Sequence, residues 1–292
     1  MNWLIEPLNF EFMRHAFLAA ILMGILCAVV GSYLIVQRMG LLGDVIAHAV
    51  LPGLAIAFYL GMDIFLGAFI SGTLSTLIIA WIQSQSRIKV DVAMALVFSG
   101  FLALGIMLIT VLQSKLDLHS FLFGDILGVT AADVGRTFLI TLGILLFVRL
   151  FYKELLFYTF NPLGAQAMGL PVNLIHIGLV SAITLTIIAS MQAVGVVLVV
   201  SLLVGPAITA YLLVKELHQM MGLGAIFGVF SSVTGMYLSY YFNVPSGAAI
   251  VLVVTVLFVL SLLFSPSQGI LTRPEMANQS YKIVQHLKRL KR

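Results

Sequence analysis

The residues best suited to chemistry lie in the stretch Gly40–Gly53, GLLGDVIAHAVLPG, where Asp44 and His48 stand four apart in an otherwise apolar run. Four residues is about one helical turn, so both side chains project from one helix face. A carboxylate near the bilayer midplane costs a few kcal/mol to insert, and chains keep one there mainly where it lines a polar cavity or binds something. An Asp oxygen beside an imidazole nitrogen is a pair of first-row-metal ligands, suiting Mn, Fe or Zn rather than Na or K. Two plainer roles fit the same residues. Asp44 could be an acid in the first turn of a helix started by Gly40 and Gly43, and His48 a hydrogen-bonded core histidine.

The elements that must position this pair are membrane spans. The 292 residues are 61% apolar and 9% charged, against roughly 25% charged in soluble domains, and the mean hydropathy is +1.14. The expected fold is therefore an all-α polytopic membrane protein. A sequence pI near 9.2 could suggest nucleic acid, but a basic excess confined to membrane-flanking loops reflects topology. Cys27 is the only cysteine, so an intrachain disulfide and a Cys-based zinc cluster are excluded. Glu6 and Glu11 precede the first apolar run with no early basic region, the wrong order for a cleaved signal peptide, so the N-terminus is expected to be retained.

With about 20 apolar residues needed per crossing, nine spans are expected, at 13–36, 41–60, 63–83, 92–113, 133–152, 173–192, 194–214, 220–241 and 246–264. Arg38, Arg87, Lys89, Arg149, Lys153, Lys215 and the basic tail fall on one side, against Arg14, Lys115 and Arg136 on the other. The rich side is the cytoplasm, which puts the N-terminus outside and the C-terminus inside. Glu6, Glu11, Asp63, Asp117, Asp125 and Asp133 then give the outer face a weak attraction for cations. Residues 1–264 are read as the transmembrane domain and 265–292 as a basic cytoplasmic tail, ending HLKRLKR, that can brush anionic lipid.

Two connections exceed a turn. The outer one, Ser114 to Ala132, contains SFLFGDILG and is too apolar for a solvated loop, so a re-entrant or interfacial helix is expected, with Asp125 either facing the ion path or serving as a cap. The inner one, Lys153 to Val172, is broken at Pro162 and Gly164; Ala165–Met168 then forms one short helix ended by Gly169-Leu170-Pro171, with a docking surface or a plain linker as its role. Gly224 and Gly228 are spaced for close helix packing, and Gly195, Gly205 and Pro206 suggest a bent or broken helix.

Several chemistries are missing from the chain. Without GxxxxGK[ST] it does not cradle ATP phosphates in the usual way, and neither HExxH nor GxSxG occurs. His15, His119, His176, His218 and His286 lie at span ends, in loops or in the tail, and are read as structural or solvated.

With QRMGLLGDVIAHAVLPG, LFGDILGV, AQAMGLP, VGVVLVVSLLVGPAITA and VPSGAA in this order, residues 13 to 264 resemble the permease subunits of bacterial ATP-binding-cassette importers for divalent metals. The resemblance implies a homodimer with one pathway at the two-fold axis, metal delivered by an extracellular or periplasmic binding protein, and two cytoplasmic ATPase subunits as motors. It implies that Asp44 and His48 hold the ion in transit. It places a coupling helix at about 161–172, with Ala165, Gln166, Ala167, Met168, Gly169 and Leu170 seated on the ATPase; Gln166 stands where members more often carry an acid. A two-fold axis would unite two Asp and two His in one four-ligand N/O set.

The resulting expectation is a non-enzymatic permease of a bacterial plasma membrane that imports Mn2+ as substrate and holds no permanent cofactor. Carboxylate favours the harder Mn2+ and imidazole suits Zn2+ or Fe2+ as well; Pro52 after HAVL resembles the manganese-type members. The competing expectations are a zinc or iron importer, an ion-coupled secondary transporter or channel working alone, and an intramembrane metalloenzyme, for which no third ligand or general base is evident.

Overall fold

An apolar run of about 20 residues cannot leave its amides unpaired in a bilayer, and a helix is the form that satisfies them all within the segment. The computed structural model describes residues 6–112, 124 and 126–265, and every regular element among them is helical. A 3-10 turn at Glu6–Asn9 leads into α1 (Glu11–Val36), followed by α2 (Leu42–Ala49), α3 (Leu51–Leu60), α4 (Ile64–Gln85) and α5 (Val90–Val111). Beyond a second 3-10 turn, Ile126–Gly128, come α6 (Ala131–Leu150), α7 (Tyr152–Phe160), α8 (Pro162–Ala167), α9 (Val172–Val194), α10 (Val196–Leu213), α11 (Leu217–Phe242) and α12 (Ser246–Phe264). With α2 and α3 counted as one crossing, nine stretches of the described residues are long and apolar enough to span a membrane, the expected number.

The helix α1 is the hub. It packs along α10 and α11, which themselves carry α12, while α3, α4 and α5 form a second group. Short α2 lies between them, against α5, α4, α9 and α10. The hub depends on backbone approach: a Cβ at Gly228 would collide with the Gly24 backbone and one at Gly24 would lie 2.7 Å from the Gly228 carbonyl carbon, so the two helices cross without side chains between them. Gly228 thus has the packing role expected of it, whereas a Cβ at Gly224 would meet only ordinary van der Waals neighbours, the nearest at 3.5 Å.

Four expectations need correction or restriction. The second span is two helices, because Pro52 has no N–H to offer the carbonyl four residues back, that of His48, and the ladder changes partners at Val50. Of the three residues expected to bend or break a helix, Gly195 does so, its φ of +80° turning α9 directly into α10, whereas α10 runs through Gly205 and Pro206. The inner connection begins with a helix, α7, and Pro162 opens α8 instead of interrupting it, since the first helical position needs no N–H. Most of Ser114 to Ala132, with Asp125 and His119, lies outside the described residues, as do residues 266–292 with His286.

Replacing Gly228 with Val should destabilise the fold by about 1–3 kcal/mol through overpacking, read as a lower melting temperature in detergent. Gly222→Ala on the same helix has nothing within 4 Å of the new methyl and should leave it unchanged.

Candidate functional site

The turn that delivers α2 is built with some strain. Gln37 caps α1, Arg38 takes the left-handed conformation at φ 59°, the Arg38 amide donates to the Ile35 carbonyl at 3.1 Å and the Met39 amide to the Leu34 carbonyl at 2.8 Å. This is a helix-ending arrangement usually given to glycine, and a residue with a Cβ there costs about 1 kcal/mol. What arginine adds is a cation at the mouth of a groove.

That groove, of about 630 Å³, runs between the end of α1, α2, α5, α10 and α12. Its charged lining is Asp44 of α2, Asp91 of α5 and Arg38; Ser201 and Thr255 add hydroxyls, and Val204 and Phe258 are among its apolar walls. Gly205 also lines it, so the glycine expected to break a helix serves as wall without breaking it. Asp44 is the third residue of α2 and His48 the seventh, so Asp44 lies near the start of the crossing and His48 one turn closer to its middle.

Asp44 and His48 do come together. Their side chains approach to 3.5 Å, Nδ1 to Oδ1, but His48 Nδ1 is closer to the backbone carbonyl of Asp44, at 3.0 Å. A carbonyl only accepts, so Nδ1 carries the proton and donates, and Nε2 keeps its lone pair. Nε2 has no hydrogen-bond partner among the described residues and is the nitrogen open to a ligand. An imidazole fixed through one nitrogen by a backbone carbonyl is how metal-binding histidines are commonly held. The ring also meets the Phe98 ring of α5 edge-on, at 5.0 Å and 71°. Exposure separates the two side chains: 45% for Asp44, on the groove, and 19% for His48, which is not part of the groove lining.

Among the described residues no group of three or more His, Cys, Asp or Glu side chains could hold a metal ion. Among the described residues, the pair Asp44 and His48 therefore offers two ligands per chain. Asp91 on the same groove was not singled out in the sequence, where an acid two residues after Lys89 reads as an ordinary first-turn residue; its signal was its position at the same end of its helix as Asp44. Of the other histidines, His218 pairs with Glu216 at 3.2 Å in an exposed position, and His176 is hydrogen-bonded to Tyr158.

The connection that carries α8 is equally definite. The Asn161 side chain accepts from the Gly164 amide at 2.9 Å to start α8. Gly169, at φ +80°, ends it, with the Leu170 amide donating to the Ala165 carbonyl at 3.1 Å. Ala165 is fully buried and Leu170 half-buried, while Gln166, Ala167, Met168 and Gly169 are exposed. Leu163 at 79% and Met168 at 74% stand out among the exposed apolar side chains.

Nine membrane-crossing stretches among the described residues, a charged groove between five of them and a short helix on a connection fit a membrane permease. The chain belongs to the ABC 3 transport family, whose model matches residues 9–265. It is 46% identical, over 92% of both chains, to the manganese transport system membrane protein MntC of Halalkalibacterium halodurans. It is 39% identical to a probable iron transport system membrane protein of Haemophilus influenzae, over 90% of this chain and 97% of that one. The fold matches the structure titled PsaBC from Streptococcus pneumoniae in complex with Fab, with a TM-score of 0.82 and 43% identity over 91% of this chain and 96% of that chain.

The tautomer can be measured directly. Long-range 1H–15N NMR of the selectively labelled protein should find His48 protonated at Nδ1 and bare at Nε2 at pH 7.5; the opposite tautomer would remove its suitability as an Nε2 ligand.

Proposed function

We propose that this chain is the permease subunit of an ATP-driven importer whose substrate is Mn2+. Two copies face one another across a two-fold axis, and Asp44 and His48 of each contribute to one transient ion site. The observation that carries this reading is the half-exposed Asp44 carboxylate on a groove of a membrane-crossing segment, beside an imidazole whose Nε2 has no partner among the described residues. A carboxylate so placed needs a covering of protein or water. A second copy supplies the cover and the two missing ligands together.

The ion is assigned as Mn2+ from the carboxylate in the ligand set and from the relatives named for manganese transport. Iron is the second reading, favoured by the iron-named relative. Two ligands per chain make a site that holds an ion briefly, as passage requires.

In this mechanism a binding protein on the outer side hands the ion to the pathway while the inner side is closed. Two cytoplasmic ATPase subunits seat on α8, their groove taking Leu163 and Met168 with the Ala165–Leu170 turn, and ATP binding and hydrolysis switch access. Asp91, at the Arg38 end of the groove, draws the ion onward toward the cytoplasm. The basic side is assigned as cytoplasmic, giving an outside N-terminus, an inside C-terminus, and a bilayer domain to residue 264 followed by a basic tail.

In vesicles containing the complete complex, Asp44→Ala or His48→Ala should abolish ATP-dependent Mn2+ uptake while protein level and ATPase association stay unchanged. Normal uptake in both would refute the site, and uptake without any nucleotide-hydrolysing partner would favour a secondary transporter. Asp91→Asn should slow uptake several-fold at low ionic strength, the deficit shrinking as salt is raised because the attraction is screened over about 10 Å at 0.1 M. Leu163→Asp combined with Met168→Asp should reduce copurification of the ATPase subunit by at least about ten-fold, a loss of about 1.4 kcal/mol, without lowering permease abundance.

A further inference from the structure

Between the start of α2, α4 and α9 lies a narrow, largely enclosed cavity of about 20 Å³, lined by Gln37, Met39, Leu42, Thr76, Gln83 and His176, among others. Two of these aim buried polar atoms that lack a partner among the described residues, Nε2 of Gln83 and Nε2 of His176. His176 Nδ1 is 2.7 Å from the Tyr158 hydroxyl. With the phenol donating, both groups of that bond are satisfied and Nε2 of His176 must carry the ring proton. The cavity therefore receives N–H donors from two sides and nothing in that pair to accept them.

A water molecule accepts two hydrogen bonds, and the volume is sufficient for one. Its own protons can go to the hydroxyl oxygen of Thr76, which donates to Gly72 and keeps lone pairs, and to the amide oxygen of Gln37. Gln37 in turn donates from Nε2 to Thr159 Oγ1 at 3.3 Å. Tyr158 and Thr159 belong to α7, immediately before the coupling helix, and Gln37, Met39 and Leu42 belong to the segment that leads into Asp44.

We propose that this cavity is a bound-water site and that Tyr158, His176, Gln83 and the water form the joint through which movement of the coupling helix reaches the Asp44 helix. The residues are positioning residues; none touches the ion. Two hydrogen-bonded connections, one through Gln37 and Thr159 and one through the water, tie the same segment to α7. Breaking either lets α8 move without carrying α2. The inference rests on the transport reading above.

The test uses the full transporter in vesicles with Mn2+ as the probe, scoring ions imported per ATP hydrolysed, a ratio that mere loss of folded protein does not change. Tyr158→Phe and Gln83→Leu should each lower that ratio by about five-fold or more, with ATP hydrolysis retained. The double variant should fall no further than the worse single one, because both act on one joint. An unchanged ratio, or losses that multiply in the double variant, overturns the proposal. Gln83→Met, which conserves volume, keeps the test open should the leucine variant fold poorly. A high-resolution map of the complex should show density within hydrogen-bond distance of both Nε2 atoms, and a dry cavity overturns the water. Asp44→Ala run in parallel separates the two ideas: active Asp44→Ala defeats the transport reading, whereas inactive Asp44→Ala with normal joint variants defeats the joint alone.

Discussion

A carboxylate on a membrane-crossing helix can persist only where protein or water replaces the hydration that it loses, and the placement of α2 answers to that constraint. The helix is too short to cross alone and is wedged between the two helical groups, so its polar turn never has to face a continuous wall of lipid. The groove along it is charged where Asp44, Asp91 and Arg38 meet and apolar elsewhere. Arg38 occupies a left-handed backbone position that glycine would take without strain. Backbone strain held next to a charged groove is characteristic of sites under functional demand.

The rest of the fold supports this wedge. Hub helix α1 is held against α10 and α11 by approaches that leave no room for a Cβ, at Gly24 with Gly228 and at Gly31 with the Leu203 carbonyl. Leu203 also lies against Gly43, where a Cβ would be 2.7 Å from its methyl, so the contact that fixes α10 on α1 also sets the start of α2. Without hydrophobic driving force in lipid, such packing is what holds helices in place. The one-residue link at Gly195 then brings α9 and α10 to α2 as neighbours from consecutive sequence.

Much of this was legible in the sequence because a bilayer imposes long, simple signals. Apolar run length marked nine crossings, one-turn spacing put Asp44 and His48 together, and Gly169 ends the short helix α8 as its residue type allows. What was hidden depended on partners distant in sequence or on geometry that a residue type permits without requiring. Proline ends one helix and opens another, so Pro52 and Pro206 read alike although the first marks a junction and the second is absorbed within α10. Asp91 has no local mark, since its importance comes from sharing a groove with a helix 47 residues earlier, counting from Asp44. The Tyr158–His176 bond joins α7 to α9 across α8, and no periodicity in either helix announces it.

On the proposed reading, the two side chains of the ion site are held in different ways. The backbone carbonyl of Asp44, not its carboxylate, is the nearer acceptor for His48, so the tautomer is set by the helix itself and survives whatever the carboxylate does. A carboxylate that moved to an ion would therefore leave the imidazole's nearer hydrogen bond in place, and the ring also packs edge-on against Phe98. A pair arranged this way separates the two tasks of a transient site: one ligand is fixed and ready, and the other can engage and let go. On the proposed reading, that division lets a single chain hold half a site stably through a cycle in which the whole site must form and dissolve.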